Sequence, residues 1–256
     1  MAKFVSTSLS LLDSHSFVQI ALRLARLLAQ NAYTVTSVIR DPAHAPDITA
    51  LSAIPHVVSL EDSPTATFTD LFTKTRAQLV YFTAGAGGKG GDERTRAVDY
   101  EGAVKVFDAV EGMQGDKPRI ILLSALDVRN PDKLETYPAH YTEDDKMNSR
   151  RVYAALGTYN KWKFEADKNL VARTAFRWTI LRPGMLSDTP GTGLVEIGHT
   201  HLGTQIPVCL FIPHYVRLAY NAGMFRETTS QRRSTTLPLP LTHMASRSTL
   251  PLAARL

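Results

Sequence analysis

The chain has 256 residues, 44% hydrophobic and 21% charged, enough to bury one sizeable core without requiring a second domain. Its formal charge of +5 sits at one end: four arginines beyond Glu227 (Arg232, Arg233, Arg247, Arg255), with no lysine or acid beside them, leave +1 for residues 1–227, which argues against the clustered basic face of a nucleic-acid site. One cysteine, Cys209, excludes an internal disulfide and every multi-cysteine metal site and fits a reducing compartment, and no apolar run reaches the ~18 residues of a bilayer span, so a soluble cytoplasmic protein with no membrane partner is expected.

An amphipathic helix is predicted over residues 16–30, where Phe17, Ile20, Ala21, Leu24, Leu27 and Leu28 share one face. YTVTSVIR (33–40) reads as a strand stopped by Asp41-Pro42, HVVSL (56–60) as another, and TATFTDLFTKT (65–75) as a short helix with Leu71 and Phe72 inward. QLVYFTA (78–84) is a strand, and Asp92 to Val110 is helical with Val98, Ala103, Val106, Phe107 and Val110 on its apolar side. RIILLSA (119–125) has the continuous apolar character of a parallel strand covered on both faces. A helix near 159–173 and a strand over 176–182 follow.

Strands alternating with helices in this rhythm build right-handed βαβ units. The fold class is therefore α/β, a doubly wound parallel sheet of Rossmann type with an irregular N-terminus. One domain is assigned to residues 1–204, with 1–15 atypical, and 205–225 are irregular. Residues 226–256, Ser, Thr, Pro, Leu and Arg without an apolar face, form a disordered basic tail. Ala254-Arg255-Leu256 loosely resembles a peroxisomal address.

Gly85, Gly87 and Gly90 spell GxGxxG between a strand and a helix, the textual form of a dinucleotide loop. The turn follows the fourth strand, however, whereas a pyrophosphate sits after the first, and no acid ends a strand about 20 residues on. Lys89 is followed by Gly90, so it is not a triphosphate loop either. Ala84 and Gly85 still open a turn whose glycines admit a ligand at the carboxyl edge of the sheet; a plain flexible turn is the alternative. Where the phosphate loop belongs, residues 7–19 read TSLSLLDSHSFVQ, with no glycine.

RIILLSALDV, GTYNKWKFEADKNLV, WTILRPG and DTPGTG, in that order and spacing, resemble the atypical short-chain dehydrogenase/reductase group of fungal NAD(P)-binding proteins, close to the extended reductases and epimerases. The resemblance covers residues 20–204. It implies that Tyr159 is a general acid toward a carbonyl, with Lys163, one helical turn on, lowering its pKa and bonding the nicotinamide ribose. It further implies that Ser124 orients the carbonyl, that Asp62 lies near the adenine amine, and that Pro183 and Gly184, after Arg182, form the turn over nicotinamide and substrate. Arg40, ending the second strand, stands where a guanidinium meets the adenosine 2′-phosphate, favouring NADP while leaving NAD possible.

Each assignment has a plainer alternative. Tyr159 and Lys163 can be surface groups on an amphipathic helix, Ser124 a strand-end hydroxyl on its own backbone, Arg40 a solvated strand end, and Asp62 an acid at a helix start. Asp99 stands where many extended members carry asparagine, which puts a full catalytic tetrad in doubt. His199 and His201, with no partnered acid or cysteine near them in sequence, make a poor metal site, and none is assigned.

An NADP-preferring reductase acting on a small carbonyl or alcohol is the leading expectation. A dinucleotide-sensing regulator without turnover is the first alternative, and an inactive variant with altered ends around an intact body is the second. The sequence identifies neither substrate nor oligomeric state.

Overall fold

A computed structural model of the chain describes residues 3–7, 15–87, 90–190, 198–203, 205–208 and 212–213, with side chains from residue 20 onward. The glycine-free stretch between the first strand and first helix, Lys89, and the tail beyond residue 225 lie outside the described residues. The chain divides into two units, Met1–Met224 and Phe225–Leu256, and only the first is described.

Its centre is a six-stranded sheet of β1 (Lys3–Thr7), β2 (Thr34–Ile39), β3 (Ile54–Val57), β4 (Leu79–Phe82), β5 (Arg119–Leu123) and β6 (Trp178–Leu181). The strands lie in the order β3-β2-β1-β4-β5-β6, and every neighbouring pair is parallel. This is the doubly wound arrangement predicted. The order reverses between β1 and β4, which places the crevice of such folds at the carboxyl ends of those two strands.

Parallel strands covered on both faces must be apolar at every position, and β4 obeys: Leu79, Val80, Tyr81 and Phe82 are all fully buried. Val80 and Phe82, with Ile120 and Leu122 of β5, join one apolar cluster. Helix α3 (Thr65–Thr75) adds Phe68, Leu71 and Phe72 to it, and α5 (Gly102–Glu111) adds Val106, Phe107 and Val110. Alternate residues Tyr81, Ile121 and Leu123 are as deeply buried on the opposite face. Helix α1 (His15–Gln30) presents Ile20, Ala21, Leu24 and Leu28 of the predicted stripe inward together with Ala25, while Leu27 is half-buried and the Phe17 side chain lies outside those described. Full burial of each large side chain contributes about 1.5–3 kcal/mol.

Three elements differ from expectation. The third strand pairs over Ile54–Val57, two residues earlier than predicted, because Pro55 is tolerated at a sheet edge. The helix after β4 runs as α4 (Gly91–Thr95), one π-helical stretch (Arg96–Glu101) and α5, and the wide turn carries Asp99 inward, where it is fully buried. Helix α6 spans Glu143–Val171, not 159–173, with non-helical geometry at Leu156. Its first half has no apolar face and buries only Asp145 and Ser149, so periodicity could not reveal it. What starts it is a reciprocal cap, Thr142 Oγ1 accepting from the Asp145 amide while the Asp145 carboxylate accepts from the Thr142 amide. Short helix α2 (Ala45–Ala50), 3-10 turns at Pro42–His44 and Pro131–Lys133, and a two-stranded parallel sheet of β7 (Met185–Ser187) and β8 (Gln205–Pro207), the last within the segment expected to be irregular, complete the described elements.

Candidate functional site

The carboxyl edge of the sheet gathers the groups that carry chemistry. Beside the β1–β4 crevice the chain leaves β4 through Thr83, Ala84, Gly85 and Ala86, all buried. The Ala86 amide donates to Asp99 Oδ2 at 2.9 Å, so the buried carboxylate holds the glycine turn in place. Gly87 and Gly90 adopt φ of 68° and 84°, left-handed values that a side chain disfavours. A Cβ on Gly90 would stand 2.6 Å from Arg94 Cδ, so that glycine makes room for the Arg94 stem.

Ser124, at the exit of β5, and Tyr159 and Lys163, on the second half of α6, converge on the same edge. Lys163 is fully buried; its ammonium meets Asp99 Oδ1 at 3.0 Å and donates to the Leu123 carbonyl, beside Ser124, at 3.1 Å. It lies 5.6 Å from the centre of the Tyr159 ring. Ser124 donates to Asp167 Oδ2 at 2.9 Å, and the same oxygen accepts from Arg182 Nε at 3.1 Å and Nη2 at 2.7 Å. Tyr159, Lys163 and Asp167, each four residues apart, thus form one helical stripe, of which Lys163 and Asp167 reach the ends of β5 and β6.

The electrostatics depart from the expectation of a phenol primed by lysine. Burial raises the Tyr159 pKa, and although Lys163 pulls it down, Asp99 and Asp167 push it further up, to about 12. Burial would lower the Lys163 pKa, but Asp99 and Tyr159 outweigh it and leave the ammonium held above its ordinary value. Burial lifts the Asp167 carboxyl, opposed by Arg182 and Ser124. At neutral pH the cluster therefore holds a protonated phenol, a charged ammonium and a serine that donates to a carboxylate.

The remaining residues fall into two groups. Arg40 Nη1 meets Glu61 Oε2 at 3.0 Å, and Arg94 Nε stands 3.8 Å from Glu61 Oε1. Asp62 accepts from Ser59 Oγ at 2.6 Å. Pro183 is buried, and its carbonyl accepts from the Leu126 amide at 2.7 Å, tying the β5 and β6 exits together; half-buried Gly184 follows it. Sequence reasoning missed Asp167, which the four-residue spacing after Lys163 signals, and Glu61 and Arg94, which no local pattern signals. It also missed the acid beside His201: Asp145 Oδ2 lies 2.7 Å from His201 Nδ1, and Oδ1 accepts from the Leu202 amide at 2.7 Å, a pairing hidden by 56 residues of separation. His199 stacks on His140 with ring centres 4.9 Å apart. Among the described residues no group of three or more His, Cys, Asp or Glu could hold a metal ion, and no helix is long and apolar enough to cross a membrane.

The NAD(P)H-binding family matches residues 19–208. The UPF0659 protein C216.03 of Schizosaccharomyces pombe is 39% identical over 181 residues, 70% of this chain and 72% of that one. The uncharacterized sugar epimerase YhfK of Bacillus subtilis is 32% identical over 180 residues, again 70% and 72%. Among solved structures, the oxidoreductase ylbE of Lactococcus lactis superposes with a TM-score of 0.64 at 20% identity, over 85% of this chain and 84% of that one, a likeness of fold.

Proposed function

Because this chain belongs to the NAD(P)H-binding family, we propose that it is an oxidoreductase of the short-chain dehydrogenase/reductase type that prefers NADP(H) and reduces a small carbonyl. The observation that carries the reading is the convergence of Tyr159, Lys163 and Ser124 on one edge, with Lys163 bonded to the carbonyl preceding Ser124 and lying against the Tyr159 ring.

A dinucleotide fits the residues at this edge. The turn beside the crevice carries left-handed glycines at Gly87 and Gly90, which let backbone approach a ligand, and Arg40 lies at the end of β2 with a guanidinium suited to a phosphate. Ala84 and Gly85 would contact the cofactor there, Asp62 would lie toward the adenine, and Pro183 and Gly184 would close over the nicotinamide end. The chemistry supplied by a bound nicotinamide cofactor is hydride transfer.

The chain's own residues then have separate tasks. Tyr159 keeps its proton to about pH 12, so at neutral pH its hydroxyl can give a proton to a carbonyl oxygen. Lys163 holds a fixed positive charge beside it and favours the phenolate left behind. Ser124 has one hydroxyl proton, donated to Asp167; to orient a carbonyl it turns that proton outward, while Arg182 keeps Asp167 paired.

A second reading, a dinucleotide-binding regulator without turnover, draws support from one observation: Lys163 and Ser124 are both engaged by carboxylates, Asp99 and Asp167. NADPH titration followed by fluorescence, then NADPH oxidation with a panel of aldehydes and ketones, separates the two. The reductase reading expects turnover that Tyr159→Phe lowers by at least a hundredfold with NADPH affinity held within about twofold. Binding without turnover in the wild type selects the regulator, and absence of binding defeats both.

A further inference from the structure

Glu61 is a carboxylate at the crevice that the chemistry of Tyr159, Lys163 and Ser124 does not use. It follows β3, Arg40 ends β2, and Arg94 belongs to α4, just after the glycine turn; three separate connections bring these side chains together at one edge of the crevice. The carboxylate lies between the two guanidinium groups, 3.0 Å from Arg40 Nη1 and 3.8 Å from Arg94 Nε. All three are largely shielded from bulk water: side-chain exposure is 25% for Glu61, 32% for Arg40 and 22% for Arg94.

The framework around them is fixed. Lys105 Nζ donates to the carbonyls of Leu60 at 2.7 Å and Glu61 at 2.9 Å, pinning the loop that carries the carboxylate. Gly102 lets α5 close onto that loop, since a Cβ there would lie 2.6 Å from Leu60 Cδ2. Gly90 accommodates the Arg94 stem. Two guanidinium groups therefore meet at one carboxylate.

A 2′-phosphate brings about −1.5 to −2 charges and three acceptor oxygens. It matches two guanidinium groups better than one carboxylate does, and on the cofactor reading it would compete with Glu61 for them. A bare 2′-hydroxyl would instead donate to Glu61, the part that an acid ending the second strand plays in NAD-binding folds.

We propose that Glu61 is the residue that sets the choice between NADP(H) and NAD(H), its carboxylate filling the space between Arg40 and Arg94, and that Arg94 becomes the second ligand of the 2′-phosphate when Glu61 gives way. This rests on the cofactor reading of the same edge. The carboxylate holds both arginines in position before the phosphate arrives and narrows, without reversing, the preference for NADP(H) that they provide, through the repulsion it exerts and the bonds that must be exchanged.

The test is the affinity ratio NADPH/NADH, measured by fluorescence titration on the full chain, with 2′,5′-ADP and 5′-AMP as competitors that carry no nicotinamide. Removing one charge-assisted contact to phosphate is expected to change affinity roughly tenfold. Glu61→Gln should tighten NADPH and 2′,5′-ADP about tenfold with NADH and 5′-AMP unchanged or weaker; Arg94→Gln should weaken NADPH and 2′,5′-ADP about tenfold and spare the other two. The ratio within one protein does not depend on the fraction folded. Equal changes for both cofactors in these variants, or no change, overturn this proposal and leave the cofactor reading standing. A wild-type chain that binds neither NADPH nor NADH overturns both.

Discussion

Replacing Asp99 by asparagine removes one charge from an ion pair that is fully buried. Both partners are 0% exposed and 3.0 Å apart, so the solvent screening that makes surface pairs worth little is absent. The asparagine can still accept from the Ala86 amide, as Asp99 Oδ2 does at 2.9 Å, which confines the change to the charge. Lys163 is left as a buried ammonium with the Leu123 carbonyl as partner, and breaking a buried pair in this way costs roughly 3–5 kcal/mol. In a protein of this size that corresponds to a fall in Tm of about 6–20 °C. Asp99→Leu with Lys163→Met, which removes both charges, should recover most of the loss, because a buried ion pair replaced by apolar groups is often neutral or better. The pH dependence carries a sign. The folded-state pKa of Lys163 is raised, burial being outweighed by Asp99 and Tyr159, so its contribution is complete below the unfolded value of about 10.4 and is lost as pH rises through the folded one. The gap between wild type and Asp99→Asn, measured by urea unfolding, should be constant from pH 7 to 9 and narrow in strongly alkaline solution. A gap under ~1 kcal/mol at pH 7, or a double variant no more stable than Asp99→Asn, refutes the reasoning.

Two other perturbations follow from the same geometry. Asp145 is buried, which would raise its pKa, yet bonds from His201, Thr142 and Leu202 hold its carboxyl well below the usual range. Its contribution is therefore present above the unfolded value of about 3.9 and lost as pH falls through the folded one; Asp145→Asn should cost about 1–3 kcal/mol in urea at pH 7, with the difference shrinking below about pH 4. Gly90→Ala should cost at least 1–2 kcal/mol, from φ of 84° and a Cβ 2.6 Å from Arg94 Cδ, whereas Gly115→Ala, at φ of 76° with nothing within 4 Å, should show the backbone part alone; thermal melts of the pair separate the two causes.

Most of the sheet and its helices were legible because the core-forming elements write their burial into their periodicity. Ile20 to Leu28 and Val106 to Val110 repeat at helical spacing, and Ile120 to Leu123 run apolar without a break, as a doubly covered strand must. The first half of α6 writes nothing of that kind, since it is held by a cap and two buried polar residues, Asp145 and Ser149. At the site, Ser124, Tyr159 and Lys163 were singled out by the family resemblance, on a strand end and a four-residue helical step. Their partners did not. Asp99 reaches Lys163 only because a π-helical stretch turns it inward, and Glu61 reaches Arg40 across 21 residues, a matter of which strands are neighbours.

Those partners change what the site is before any ligand arrives. Lys163 is matched by Asp99, Arg182 by Asp167, and Arg40 and Arg94 by Glu61. Binding at such an edge is an exchange: every bond that a ligand forms there is set against an internal bond that must break, and only the difference appears as affinity. Where the internal partner is fully buried, as for Lys163, the exchange is unfavourable, and on the proposed reading the ammonium would act on Tyr159 at a distance while its pair with Asp99 supports the glycine turn. Where it is partly exposed, as for Glu61, the carboxylate can be displaced by a ligand of higher charge. The difference in burial between 0% at Asp99 and 25% at Glu61 therefore separates a pair that contributes to stability from a more exchangeable one, to which the proposed selectivity between a phosphate and a hydroxyl is assigned.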